Sequence, residues 1–309
     1  MRIHRNISGK RIFFSLLIGI ACFTISGVSG LRSAAAGDLP QVRQAGVLRH
    51  LGVPYANFVT GSGDGLDVEL IKLFAQHLGV KYEYVKTDWQ NVISDLTGKK
   101  FALEKGQVHV TGETPVKGDV VANGMTILPW RNTIIDFSSP TFPTQVWLLA
   151  RADSAMKPIV PTGNIERDIA LVKKTLQGHP TIGKRQTCLD PELYELKQCA
   201  SSVLLFNGAL NELAPAVLNG MAESTILDVP DALIALEKWP GQLKVIGPIS
   251  PEQQMAVGFA KSSPLLRQAF EEFFAAIKAD GTYRKLVNKY YLSVFNYYPE
   301  FFAEQQIAR

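Results

Sequence analysis

From Ala45 onward the chain alternates short β-patterned runs with amphipathic helical runs. This alternation is the signature of an α/β domain, because strands separated by helices are joined through crossovers rather than hairpins. Val47 to Val53 reads as the first strand. A helix begins at Asp64-Gly65-Leu66-Asp67 and keeps Leu66, Leu70, Leu73, Phe74 and Leu78 on one face, with Gly79 placed to end it. Val80 to Val85 is the next strand and Trp89 to Leu96 a short helix. Residues 97 to 116 break the rhythm: Gly98, Gly106 and Gly112 punctuate alternating pieces, which predicts an added β-hairpin or loop. Further on, Asp190 is placed to cap a helix with Pro191 at its first position, Ser224 to Leu227 is a strand, and Pro230 to Lys238 a helix. Ser263-Pro264 opens a helix whose Phe270, Phe273, Phe274 and Ile277 recur at helical spacing and belong to the core.

The N-terminus carries a different signal. Arg2, Arg5, Lys10 and Arg11 precede the apolar run Ile12 to Val28, and Ser33 to Ala36 supplies small residues, so residues 1–36 read as an export signal cleaved after Ala36. An uncleaved membrane anchor is the competing reading, since the run approaches the roughly 18 to 20 residues that span a bilayer. A lipid anchor on Cys22 is disfavoured by Gly19, which stands where a bulky aliphatic residue is expected. Of 32 basic and 28 acidic residues, cleavage removes five basic ones and no acid, leaving 27 and 28. The mature chain therefore has no electrostatic reason to bind nucleic acid or anionic lipid. Its size suggests two lobes. Cys188 and Cys199 remain as an even pair in a chain bound for an oxidising compartment, so a disulfide between them is expected, with two buried free thiols as the alternative.

One segment, Gly124 to Pro140, sets a lone arginine, Arg131, just past a short apolar run and closes on Asp136-Phe137-Ser138-Ser139-Pro140. With Gly65 to Leu70 and Leu78-Gly79-Val80, and with Leu227-Asp228, Lys244 to Pro248, Ala256-Val257-Gly258 and Lys278 to Tyr283, it forms an ordered set of blocks. Together they resemble family 3 extracytoplasmic solute-binding proteins, the receptors of polar amino-acid ABC transporters. The resemblance covers most of the mature chain. It implies a periplasmic-binding-protein-like α/β fold: two lobes joined by two crossing segments with a ligand cleft between them. On that plan residues 37–147 are the first part of lobe 1, 148–253 lobe 2, and 254–309 the return to lobe 1. It also implies a periplasmic location, a small carboxylate-bearing polar solute as ligand, and an ABC transporter membrane permease as partner.

The resemblance assigns roles residue by residue. Arg131 grips the ligand carboxylate with a planar fork of donors; its alternative is a surface ion pair with Asp136. Thr126 and Thr187 address the same carboxylate from the two lobes, or are ordinary strand and loop threonines. Asp228 holds the ligand ammonium, a role compatible with N-capping the next helix. Tyr55, Phe58 and Trp89 supply aromatic walls, with core packing as the alternative for Trp89. The family's usual Thr-Pro-Glu-Arg reads Leu128-Pro129-Trp130-Arg131 here, which adds an indole beside the arginine.

A periplasmic enzyme on the same scaffold, similar to cyclohexadienyl dehydratases, is the reading from another class. His50, His77, His109 and His179 are dispersed in sequence, and neither a metal-ligand cluster nor a phosphate loop is visible, so no metal, cofactor or catalytic residue is expected. A sensor ectodomain or the regulatory part of a lytic transglycosylase is a third reading; either would normally be followed by another membrane span or a catalytic domain after the stretch Tyr297 to Phe302, so it is not the expectation.

Overall fold

The computed structural model describes residues 36–104 and 106–303. Apart from Ala36, the expected leader lies outside the described residues, and none of the described helices is long and apolar enough to cross a membrane. Helix α1 (Leu39–Ala45) leads into β1 (Val47–Gly52), α2 (Leu66–Leu78), β2 (Lys81–Lys86) and α3 (Val92–Thr97). A hairpin of β3 (Lys99–Glu104) and β4 (Gln107–Glu113) interrupts before β5 (Val120–Val121), α4 (Pro129–Asn132) and β6 (Ile135–Phe137). Strand β7 (Phe142–Thr144) carries the chain to a second lobe of β8 (Val146–Arg151), α5 (Ile165–Thr175), β9 (Pro180–Gly183), β10 (Ser202–Leu205), α6 (Leu213–Leu218), β11 (Ser224–Asp228), α7 (Val229–Lys238) and β12 (Leu243–Pro248). Strand β13 (Gln253–Met255) returns it to β14 (Gly258–Ala260), α8 (Pro264–Ala279) and α9 (Thr282–Tyr290), followed by α10 (Val294–Tyr297) and α11 (Pro299–Ala303).

Each lobe is built on a five-stranded sheet, ordered β2-β1-β5-β14-β6 in the first and β10-β9-β11-β8-β12 in the second. Both sheets are mostly parallel on one side and antiparallel where a crossing strand feeds in: β14 runs antiparallel to β5 and β6, and β8 antiparallel to β11 and β12. The crossings β7 and β13 pair with each other, Met255 opposite Phe142. In open α/β sheets ligands collect past the carboxyl ends of the strands. Those ends point at the seam between the lobes.

Local chemistry agrees with these elements. Gly79 ends α2 in the left-handed region at φ 72°, as its position predicts. The phenylalanines of α8 are buried. Residues 97–116 do form a hairpin, whose Phe101, Leu103 and Val108 pack on the lobe's second apolar cluster. Two expectations need correction. Asp190 caps, accepting from the Glu192 N–H at 3.0 Å, but the segment it caps is a 3-10 turn, because Glu195 enters the left-handed region at φ 56° and breaks the run. Cys188 and Cys199 are free thiols rather than a disulfide. Their sulfurs take different directions: Cys188 Sγ lies 3.6 Å from Asp228 Oδ2, while Cys199 Sγ lies 3.5 Å from the Leu196 carbonyl.

Candidate functional site

All seven residues assigned to ligand binding lie at or just past the carboxyl end of a parallel strand. Tyr55 and Phe58 follow β1, Trp89 follows β2, Thr126 and Arg131 follow β5, Thr187 follows β9, and Asp228 ends β11. The loop after β5 is fixed by glycine and aspartate. Gly124 has φ +65°, and a Cβ there would sit 2.4 Å from Phe58 Cδ2. Its N–H donates to Asp67 Oδ2 at 2.7 Å from the first turn of α2. Thr126 is then tied to the crossing strand by a bridge to Met255. These contacts deliver Arg131 inward on the single turn of α4.

Arg131 is 1% exposed. Its Nη1 donates to the Thr126 carbonyl at 2.7 Å, and its Cζ lies 5.8 Å from the Trp89 ring and 5.2 Å from the Trp130 ring. Asp136, the alternative partner in sequence, instead pairs with Lys261 at 3.3 Å. Among the described residues no carboxylate lies within ion-pair distance of Arg131. Burial pulls its pKa down to about 10, with the neighbouring Cys188 and Tyr194 opposing. A buried guanidinium has five N–H donors to satisfy, and its Nε has no partner here. Such a group is costly unless an anion meets it.

Across the seam, Asp228 is fully buried. One oxygen caps α7 by accepting from the Asp231 N–H at 3.3 Å, and the other faces the Cys188 thiol. Burial pushes its carboxyl up to about 6, restrained by the nearby Tyr55 hydroxyl, the Asp231 N–H and Cys188. Tyr55 is close enough to favour the charged carboxylate, yet its hydroxyl makes no hydrogen bond of proper geometry. Trp89 Nε1 and Thr126 Oγ1 are likewise buried without partners. Unsatisfied buried polar atoms are rare in native proteins and cost about 1–3 kcal/mol each. Here four of them, counting Arg131 Nε, belong to residues named as the lobe 1 wall.

The other assigned residues are less open. Thr187 is buried, but its hydroxyl donates to the Lys184 carbonyl at 2.8 Å and accepts from the Leu189 N–H at 3.0 Å, so it holds its own loop. Phe58 packs behind Tyr55 at 6.3 Å and against Phe142 and Tyr291 at 5.1 and 5.0 Å. Sequence reasoning missed Cys188 and Tyr194, both buried, with the Cys188 sulfur beside Asp228. The adjacency Thr187-Cys188 is the signal that places the thiol; the parity of the cysteines points elsewhere. Trp130, noted in the sequence as an indole beside the arginine, is braced by hairpin residue Phe101 at 5.9 Å, and Asn211, also missed, accepts through Oδ1 from the Ala56 N–H at 2.9 Å across the seam. Ala56 sits at φ 46°, an uncommon conformation for alanine. Two cavities open along the seam: about 420 Å3 beside Trp89, Lys184 and Asn207, and about 660 Å3 beside Trp130, Gly106 and Gln186. Among the described residues no cluster of side chains suited to a metal ion occurs.

Residues 52–114 and 114–293 match the model of the bacterial extracellular solute-binding proteins, family 3. Among curated proteins the chain is 28% identical over 74% of its length to a membrane-bound lytic murein transglycosylase F of Desulfosudis oleivorans, of which the match covers 44%. The chain thus spans less than half the length of that relative. It is 23% identical to a probable amino-acid ABC transporter-binding protein of Haemophilus influenzae, covering 74% of this chain and 76% of that one. It is also 23% identical to the L-cystine-binding protein TcyJ of Escherichia coli, covering 89% and 94%. Among solved structures, a mutant of ArgBP from T. maritima aligns at TM-score 0.64 with 22% identity, over 82% of this chain and 99% of that one. The ancestral amino acid-binding protein AncCDT-1, a precursor of cyclohexadienyl dehydratase, aligns at 0.63 with 25% identity, over 82% and 98%. These neighbours share the two-lobed α/β fold described above.

Proposed function

We propose, from the premise that this chain belongs to family 3 of the bacterial extracellular solute-binding proteins, that it is a periplasmic receptor for a small solute bearing a carboxylate and an ammonium group. Arg131 takes the carboxylate, with Thr126 beside it and Trp89 and Trp130 as walls; Asp228 takes the ammonium, with Tyr55 above it. A solute touching both favours the closed form, since the two groups stand on different lobes. Hinge closure of this kind is the general device of periplasmic binding proteins. The closed form is then presented to an ABC transporter permease. The observation that carries the reading is a guanidinium 1% exposed with no carboxylate in reach among the described residues, with a buried carboxyl pushed up to about 6 on the other lobe. Each charge lacks the partner that a zwitterion would bring.

The site binds without chemistry on this reading. With the lobes together, burial pushes the Cys188 thiol up to about 12, so no thiolate stands there in that form. A thermal-shift panel of amino acids, dicarboxylates and aromatic acids on ligand-stripped protein is the test. A solute at about a hundred times its dissociation constant adds roughly 2.7 kcal/mol, a rise of about 2–4 °C per kcal/mol for a chain of this size. No shift with any member sinks the receptor reading. Conversion of prephenate or arogenate to an aromatic product would make the protein an enzyme instead.

A further inference from the structure

Cys188 is buried beside Asp228, and nothing in the receptor's ordinary cycle uses its sulfur. It is 4% exposed, and its Sγ lies 3.6 Å from Asp228 Oδ2. Tyr194 fixes the backbone beneath it by donating to the Cys188 carbonyl at 2.5 Å. Asp228 and Tyr194 stand on the same lobe as Cys188. Arg131, Thr126 and Tyr55, which face the thiol from the opposite side, all stand on the other lobe. Opening the lobes therefore leaves the contact with Asp228 in place and uncovers the far side of the sulfur. The Arg131 Nε, buried and without a partner, marks this space as a place that a further molecule occupies.

We propose that Cys188 is a solute-contacting residue and a modification site that small disulfides reach only while the lobes are apart, and that thiolation there shuts the receptor off. The inference rests on the lobe-closure reading above. In the step itself the Cys188 thiol gives its proton to water, the thiolate attacks one sulfur of R–S–S–R, the S–S bond of the reagent breaks, and R–S⁻ leaves and is protonated. Cys188 is oxidised to the mixed disulfide and half of the reagent is reduced to a thiol. The added S–R group lies between Arg131 and Asp228, whose side chains are already buried at 1% and 0% exposure in the closed form. It takes the place of the solute and holds the lobes open. Cys199 is the internal reference: it is half-buried within one lobe, and its sulfur faces the Leu196 carbonyl rather than the seam.

The test treats the full chain, with and without a mixture of the proteinogenic L-amino acids, with oxidised 2-mercaptoethanol, and follows each cysteine by peptide mass spectrometry. The amino acids should slow modification of Cys188 at least tenfold and leave that of Cys199 unchanged. The thiolated protein should give no thermal shift with the same mixture until dithiothreitol restores it. A Cys199→Ser variant should be shut off in the same way. Three results overturn the proposal: equal rates at Cys188 with and without amino acids, an unreactive Cys188 in ligand-free protein whose Cys199 reacts, or thiolated protein that keeps its shift. The shift of untreated protein is measured first. Its absence counts against the receptor reading, whereas its presence without protection of Cys188 counts against this inference alone.

Discussion

The first lobe brings to the seam a buried cation that has no counter-ion among the described residues, whereas the second brings a buried carboxyl that its own helix already engages. On the first side the Asp67–Gly124 hydrogen bond at 2.7 Å and the tie of Thr126 to Met255 hold Arg131, and the donors of Tyr55, Trp89 and Thr126 go unanswered. On the second side Asp228 has the Asp231 N–H and the Cys188 thiol, and Thr187 closes its own loop. A rigid wall with unmet demand gains most from an arriving anion. A wall that is largely satisfied gains less and can respond to pH. On this account the first lobe supplies most of the affinity and the second supplies closure and discrimination.

The largest effect should come from breaking the first side. Arg131→Met should abolish the thermal shift with amino acids, a loss of about 3–5 kcal/mol of binding. The ligand-free melting temperature should stay level or rise, since an unpaired buried charge has gone. A variant that binds as before removes Arg131 from the site. The second side should prove more selective. Asp228→Asn keeps an N-cap acceptor, so the fold should hold, yet calorimetry should record about 2 kcal/mol or more lost for an amino acid. A carboxylic acid without the amino group should be little affected. Equal losses for both would erase the contrast between the lobes.

A pH dependence of the ammonium contact should arise from the second side. Asp228 is raised to about 6, so below that pH its carboxyl is neutral and must release a proton before meeting an ammonium. Amino-acid affinity should fall by roughly tenfold per unit as pH drops below that point. Arg131, lowered only to about 10, stays charged throughout this range. The sign for the ligand-free fold is the reverse: a raised carboxyl favours the folded state fully at pH below the unfolded carboxyl range, and that contribution is lost as pH rises through about 6. Both slopes should flatten in Asp228→Asn, by titration calorimetry and by melting at several pH values. The smallest effect belongs to the seam itself. Asn211→Ala removes the acceptor for the Ala56 N–H at 2.9 Å, which should weaken binding by about 1 kcal/mol. The change should fall on the dissociation rate, read by stopped-flow fluorescence of the seam tryptophans.

How much of this is legible in the sequence depends on the range of the interaction. Periodicity finds α2 and α8, and glycine positions find the ends of α2 and the hairpin at residues 97–116, because those signals are local. The inward Arg131 is legible only through resemblance, since nothing nearby distinguishes it from an arginine paired with Asp136; the distinction comes from Lys261, distant in sequence. Cys188 goes astray for the same reason: parity and compartment argue for a bridge, but the direction of the sulfur depends on β11 lying beside β9. Asn211 opposite Ala56 exists only once the lobes meet. Residues that serve one lobe can be read from sequence, and those that serve the seam need the fold.

The central claim is that one solute bridges Arg131 and Asp228. Titration calorimetry at neutral pH with an amino acid that passes the thermal-shift panel, and then with its deaminated acid and its decarboxylated amine, tests it most directly. The account predicts that the amino acid binds and that both analogues bind at least about a hundredfold more weakly, each leaving one buried charge unmet. A deaminated acid that binds as tightly as the amino acid would contradict it.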